Sequence, residues 1–230
     1  MAIWFAMAFQ SGTINIGGYL ACHRFVTHTT GFATLFGVEA ARGQSRAAFG
    51  MLSVPLFFLF GNIISGYLVD RRLTMQLRPH YTTVFGLMTG FMLITFILGI
   101  TNTFGTFGEE LSLSSDYSLL ALLCLTSGIQ NGTIATVSGS IVRTTHLTGL
   151  TTDLGIGLVR IFTKTYRLPR EHELLANWMR IGIIISFVLG SCLSGIIFFK
   201  AQYYGFVIPL LISFTLSSIS YYYKKRTSSQ

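Results

Sequence analysis

The feature that most constrains this chain is a set of long apolar runs. Residues 54–69, 84–100 and 181–199 approach or reach the roughly 18 to 20 apolar residues that cross a hydrocarbon core as a helix. Only 10% of the residues are charged, whereas an average soluble domain has about 25%. The sequence therefore predicts an all-α integral membrane protein, whose first partner is the lipid bilayer.

A polar pentapeptide occurs twice in this apolar chain. Residues 27–31, Thr-His-Thr-Thr-Gly, return as residues 145–149, Thr-His-Leu-Thr-Gly. With a two-residue slip, the Ser-Gly-x-x-Asn of residues 11–15 also returns at residues 127–131. An internal repeat constrains the fold more strongly than the hydrophobic pattern of any single segment does. The repetition predicts one membrane domain, residues 1–230, built from two copies of one unit, residues 1–101 and 117–223.

The apolar pattern predicts about six membrane spans, three in each copy. They cover residues 3–22, 48–69, 82–101, 118–137, 178–199 and 206–223. The segment after the first span of each copy is too short to cross a bilayer, which is typical of a re-entrant or interfacial helix. Residues 161–177 form an insert whose charges and proline predict a cytoplasmic loop or surface helix.

The basic residues predict the orientation of these spans. Of the sixteen Lys and Arg residues, twelve fall on one side of the six-span arrangement and four on the other. The positive-inside rule places the richer side, with both termini, in the cytoplasm. Because each copy has three spans, the second copy enters from the opposite face, which predicts the inverted repeats of many secondary transporters. The net charge of +8 lies in short loops, where membrane insertion and anionic lipid account for it, so we expect no nucleic-acid partner.

The two Thr-His-x-Thr-Gly motifs are the candidate ligand site. Thr favours a helix N-cap, Gly permits a break in the backbone, and His titrates near neutrality. Two helix N-termini brought together by pseudo-symmetry would present N–H groups to a small polar or anionic solute. The candidate residues are Asn15, Thr27, His28, Thr30, Gly31, Asn131, Thr145, His146, Thr148, Gly149 and Asp153.

Three of these residues carry alternatives of their own. Asn15 and Asn131 occupy equivalent places in the two copies, where paired amides either line a cavity or join helices. Asp153 has Leu35 as its counterpart, so it breaks the symmetry. We expect it to pair with Arg143 or Arg160 rather than with a solute.

The sequence lacks the common patterns of catalytic and metal-binding sites. No Gly-x-Ser-x-Gly, His-Glu-x-x-His or paired-carboxylate pattern occurs, and His23, His28 and His146 have no fixed ligand spacing. We therefore expect no enzyme, metal or cofactor. The preferred hypothesis is a small-solute membrane transporter or permeation protein with a polar site between the two motifs. The alternative is a non-transporting structural or partner-binding membrane protein, in which the motifs are packing joints.

The motif residues also carry a resemblance. Residues 11–15, 27–31 and above all 143–155, Arg-Thr-Thr-His-Leu-Thr-Gly-x-x-Thr-Asp-Leu-Gly, resemble the YoaK-like bacterial inner-membrane proteins, a domain of unknown function. The resemblance covers nearly the whole chain, although family members often carry Asp in place of Asn15 and Asn in place of Phe32. It implies a small multi-spanning protein of the bacterial inner membrane and brings no established activity.

Overall fold

The structure, a computed structural model, describes residues 2–27, 29–109, 114–138, 147–166 and 169–228. Regular secondary structure in these ranges is helical, as the sequence predicts. The α-helices are α1 Ala2–Cys22, α2 Thr29–Ala41, α3 Ser45–Ser65, α4 Arg71–Thr74, α5 Tyr81–Ile100, α6 Ser114–Val137, α7 Leu147–Thr163, α8 Arg170–Ala201 and α9 Val207–Ser228. A π-helical turn, Gly66–Asp70, joins α3 to α4, and a 3-10 turn, Gln202–Phe206, joins α8 to α9.

The helices have the composition of membrane helices. Within the described ranges, four helical stretches are long and apolar enough to cross a membrane: Ala48–Thr74, Tyr81–Ile100, Tyr117–Val137 and Arg170–Arg226. The outward faces carry large apolar side chains, such as Phe60 at 55% exposure and Phe199 at 76%. Faces of this kind are unfavourable in water and favourable against lipid. The chain is therefore a helical membrane protein.

The six longest helices, all but α2, α4 and α7, pack in pairs. α1 lies against α8, α3 against α6, and α5 against α9. α1 and α8 run in the same direction, because Gly182 meets Phe5 and the later Gly190 meets Phe9. α5 and α9 run in opposite directions, because Thr82 at the start of α5 lies 3.0 Å from Ser220 near the end of α9. Of the three shorter helices, α2 lies on α3 and α7 lies on α8.

Two apolar cores lie at opposite ends of the bundle. The turn-side core lies where α1 and α8 end, and it includes the fully buried rings of Phe104, Phe198 and Phe206. The basic-side core lies where α1 and α8 begin, and it includes Met7 and Leu216. We name it for the nearby basic residues of α4, the α4–α5 loop and the end of α9.

A central polar layer separates these cores. Each of its residues is buried and lies between or beside the members of the two cores along its own helix. The layer consists of Gln10, Ser11, Thr13, Ser65, Ser127, Gln130, Thr133, Ser194 and Ser213. Polar side chains in the middle of apolar helices are costly unless they face protein or water. The layer is therefore the first place to look for a functional site.

Candidate functional site

Glycines let the helix pairs approach closely at the level of the polar layer. A Cβ atom on Gly12 or on Gly190 would lie 2.1 Å from a backbone carbonyl oxygen of the opposite helix. For Gly61 and Gly128 in the α3–α6 pair the corresponding distances are 2.4 and 2.2 Å. No real side chain tolerates such distances, so these positions require glycine. Small residues at crossings are a common device of membrane helices.

Hydrogen bonds from two buried amides connect the layer across helices. The Gln10 Nε2 group donates to Ser213 Oγ at 2.6 Å and so joins α1 to α9. The Gln130 Nε2 group donates to the Met7 carbonyl oxygen at 2.6 Å and also to Ser11 Oγ, which joins α6 to α1. These bonds fix the orientation of both amides at the centre of the bundle.

Hydroxyl pairs connect the layer within the helix pairs. Thr13 Oγ1 lies 2.8 Å from Ser194 Oγ between α1 and α8. Ser65 Oγ lies 2.8 Å from Thr133 Oγ1 between α3 and α6. Each pair joins one helix of the predicted first copy to one of the predicted second copy.

Two buried oxygen atoms of the layer have no hydrogen-bond partner among the described residues. They are Gln10 Oε1 and Ser127 Oγ, in residues that are 0% and 1% exposed. An unsatisfied buried polar group costs about 1–3 kcal/mol. The two atoms thus have hydrogen-bonding capacity that a solute or water would use.

A cavity of about 630 Å³ lies among α1, α5, α6 and α9 at the basic end of the bundle. Its lining includes Met7 and Thr133. The Met7 carbonyl accepts the hydrogen bond from Gln130, and the Thr133 hydroxyl pairs with Ser65. The inner end of the cavity therefore adjoins the polar layer.

Aromatic rings pack the opposite side of the layer. The rings of Phe198 and Phe206 meet edge to face with centroids 4.9 Å apart. Phe107 and Tyr203 do the same at 5.0 Å. Ring pairs in this geometry are a favourable way of filling apolar space. The turn side of the layer is therefore filled by packed rings, and the cavity approaches the layer from the basic side.

The first predicted motif joins the end of α1 to the chain before α2. The buried Asn15 Oδ1 atom accepts hydrogen bonds from the Thr27 backbone N–H at 3.3 Å and from Thr27 Oγ1 at 3.1 Å. Thr30 is exposed and Gly31 is partly buried. Of the two roles predicted for the Asn15 amide, these contacts fit the joining of chain segments.

The second predicted motif lies at the other end of the bundle. Thr148, Gly149 and Asp153 are exposed on α7, while Asn131 is buried in α6. Among the described residues, no atom lies within 4 Å of a Cβ atom added to Gly149. His28, Thr145 and His146 lie outside the described residues.

The described parts of the two motifs contact different cores. Phe32 of α2 belongs to the turn-side core and Leu150 of α7 to the basic-side core. The reason is geometric: α2 follows the end of α1 at the turn side, and α7 follows the end of α6 at the basic side. The described motif residues are therefore not brought together around one central site.

A buried charged cluster between α7 and α8 is absent from the sequence prediction. Arg160 Nη1 lies 3.2 Å from Glu173 Oε1, and Arg180 Nη1 donates to Asn177 Oδ1 at 2.6 Å. Glu173 is 1% exposed. Arg160 thus pairs with Glu173 rather than with Asp153, which is exposed. Arg143, the other predicted partner of Asp153, lies outside the described residues. The predicted insert, residues 161–177, is divided between the end of α7, a connection and the first turns of α8.

Comparison with known proteins gives one result. Neither the curated proteins nor the solved structures contain a match to the chain. A family model described as a protein of unknown function, DUF1275, matches residues 3–219. Because the match runs from the start of α1 into α9, this chain belongs to the DUF1275 family of proteins of unknown function.

Proposed function

We propose that this protein is a small-solute membrane transporter whose solute site is the central polar layer. The observation that carries the proposal is the cavity whose inner end adjoins that layer. Polar residues at membrane depth are costly and commonly mark solute or ion pathways, and Thr133 belongs both to the layer and to the cavity lining. Rings packed at the turn side and a cavity at the basic side are the arrangement that we would expect of a transporter in one of its two states.

The proposed architecture is two inverted repeats of three spans each. Exchange of the two copies converts the pair α1–α8 into α6–α3 and leaves α5–α9 paired, and all three pairs occur. The glycine contacts follow the same exchange, since Gly12 corresponds to Gly128 and Gly190 to Gly61. These correspondences support the repeat from contacts that the amino-acid sequence alone does not supply.

The proposed location is the bacterial inner membrane, with both termini in the cytoplasm. The orientation rests on the positive-inside rule, and it directs the cavity to the cytoplasm because Arg72, Arg78 and Lys224 line it. The bacterial inner membrane and the YoaK-like relationship rest on the motif resemblance.

The proposed site differs from the one predicted between the two motifs. Gln10, Ser127 and Gln130 replace the motif histidines as the groups that face the solute. The Thr-His-x-Thr-Gly segments take a positioning role at the two ends of the bundle, as the Asn15–Thr27 hydrogen bonds illustrate.

Thiol accessibility tests the proposal without knowledge of the solute. Ser127→Cys is introduced into a chain whose Cys22, Cys124 and Cys192 are replaced by Ala, and the protein is placed in sealed vesicles of known orientation. A neutral, membrane-impermeant, sugar-linked methanethiosulfonate should react from either face, because a transporter exposes its site to each side in turn. Ile129→Cys, fully buried in the basic-side core, is the control that should stay unreactive.

The competing function is a structural or partner-binding membrane protein. The close glycine contacts at Gly12 and Gly190 favour it, since they show that the helices are held tightly. Gly149 gives it no such support, because no atom of the described residues lies within 4 Å of a Cβ added there. Reaction of Ser127→Cys from one face only would mean that the cavity is closed at its inner end. No reaction from either face would mean that the polar layer is a dry packing interface. Both results would support the competing function.

A further inference from the structure

The walls of the cavity are mostly apolar and aromatic. Trp4, Tyr81, Phe85 and Tyr223 contribute rings, and aliphatic residues such as Leu216 fill the space between them. Its volume of about 630 Å³ falls within the roughly 300–1,000 Å³ of sites that enclose small organic molecules. A fully hydrated inorganic ion would gain little from such walls. The lining fits a molecule with an apolar body.

The charged residues that line the cavity have one sign. Arg72, Arg78 and Lys224 contribute three cationic groups, and His80 adds an imidazole ring. None of the described residues that line the cavity is Asp or Glu. A cavity with apolar walls and charges of one sign concentrates the electric field inside it. The lining therefore attracts anions and disfavours cations.

The positions of these cations are specific to the cavity. The Arg72 Nε group donates to the Arg78 carbonyl oxygen at 2.6 Å, which ties α4 to the loop that carries Arg78 and His80. The neighbouring Arg71 points elsewhere, since its guanidinium lies 4.9 Å from the centroid of the Tyr67 ring and outside the cavity lining. Lys224 lines the cavity, whereas Lys225 does not. Adjacent basic residues thus provide matched controls.

We propose that the cavity binds an amphipathic organic anion, a carboxylate or sulfonate attached to an aromatic or branched apolar body. As the class of the transported solute, this assignment rests on the proposed function; as a binding site, it stands on the cavity alone. A compact anion of this kind would satisfy the apolar walls with its body and the basic residues with its charge. The long acyl chains of a lipid would instead lie against the hydroxyl of Thr133 and the polar layer.

Energy transfer from Trp4 provides the binding measurement. The chain contains two tryptophans, and Trp178 is 69% exposed, so Trp178→Phe leaves Trp4 in the cavity wall as the only reporter. The protein is placed in nanodiscs of zwitterionic lipid and titrated with 1-anilinonaphthalene-8-sulfonate. We expect saturable quenching of Trp4 that weakens as the salt concentration rises.

Two double variants locate the charge that binds the probe. Arg78→Gln with Lys224→Gln should raise the apparent Kd of the anion about tenfold, as loss of two nearby cations implies. Arg71→Gln with Lys225→Gln removes the same charge beside the cavity and should leave the Kd nearly unchanged. The neutral analogue N-phenyl-1-naphthylamine should bind equally well to the parent and to both variants.

Several outcomes would overturn the assignment. Equal weakening in the two double variants would indicate general surface attraction, and unsaturable quenching would indicate no site. Acidic phospholipid in the nanodiscs should weaken probe binding to the parent and to the cavity variant equally; weakening of the parent alone would assign the cations to a lipid headgroup. If the anion does not bind but Ser127→Cys reacts from both faces, the protein is a transporter of another solute. If the anion binds but Ser127→Cys does not react from both faces, the protein binds anions without transporting them.

Discussion

Glu173 is the buried carboxylate on which the α7–α8 contact depends. Its partner Arg160 has 24% of its side chain exposed, while the Glu173 side chain is 2% exposed. We expect Glu173→Gln to lower the free energy of unfolding by roughly 2 kcal/mol, less than the ~3–5 of a fully buried pair because Arg160 is partly solvated. Denaturant unfolding in detergent, followed by tryptophan fluorescence, measures the change.

The neighbouring Glu171 supplies the control for this prediction. It lies in the same first turn of α8 but is exposed. Glu171→Gln should change stability little, because exposed charges contribute about 0–1 kcal/mol. Equal effects of the two substitutions would show that the charge acts through the helix dipole rather than through Arg160.

The residue-level pattern for this cluster is visible in the sequence. Glu173, Asn177 and Arg180 are spaced so that they share one face of a helix. Glu173 and Asn177 fall in the predicted insert because hydropathy marks only the apolar part of a helix. α8 begins at Arg170, eight residues before the predicted span. Burial of the face depends on the packing of α7, which the sequence does not reveal.

At the level of the helices, the glycines beside the polar layer are points of close contact between paired helices. Gly128→Ala would place a Cβ atom 2.2 Å from the Phe58 carbonyl oxygen, so α3 and α6 must separate. We expect a loss of about 1–3 kcal/mol, the usual cost of overpacking. Gly155→Ala is the matched control in α7, where no atom lies within 4 Å of the added Cβ.

The control substitution should act in the opposite direction. Because alanine forms helix better than glycine, Gly155→Ala should stabilise the protein by up to about 1 kcal/mol. Thermal unfolding of the two variants side by side gives the comparison. Similar losses in both would mean that helix propensity and local spacing do not govern these positions.

The sequence predicts where the helices lie along the chain much better than it predicts which helices contact each other. The predicted first span, residues 3–22, matches α1, and the short segments after the first spans appear as α2 and α7. Repeated motifs indicate equivalent positions in two copies, but equivalence does not imply contact. When the copies run in opposite directions, the motifs that follow their first helices lie at opposite ends, as Phe32 and Leu150 do. Gln10 and Gln130 are polar residues within apolar stretches of the sequence. Only the structure shows that Gln10 bonds to Ser213 and that Gln130 bonds to Met7 and Ser11.

For the whole molecule, the length of the last helical stretch decides the number of crossings. Arg170–Arg226 contains 57 residues, which as one straight helix would span roughly 85 Å, far more than the ~30 Å of a hydrocarbon core. Gln202, with φ of 49°, begins the 3-10 turn that interrupts it. α9 then runs back along α5, as the Thr82–Ser220 contact requires. α8 and α9 are therefore expected to cross the membrane separately. The predicted six spans also require α1, which is not among the four apolar stretches.

This arrangement predicts the side on which each connection lies. In a cysteine-free chain, Thr106→Cys and Tyr204→Cys should react with an impermeant maleimide on intact cells, because both exposed residues lie at the turn side. Met75→Cys and Lys164→Cys, exposed at the basic side, should react only after the membrane is permeabilised. Reaction of Tyr204→Cys on the same side as Met75→Cys would mean that α8 and α9 do not form a crossing pair. Without that pair the copies would have unequal numbers of spans, and the inverted repeat, with the alternation of access that depends on it, would have to be abandoned.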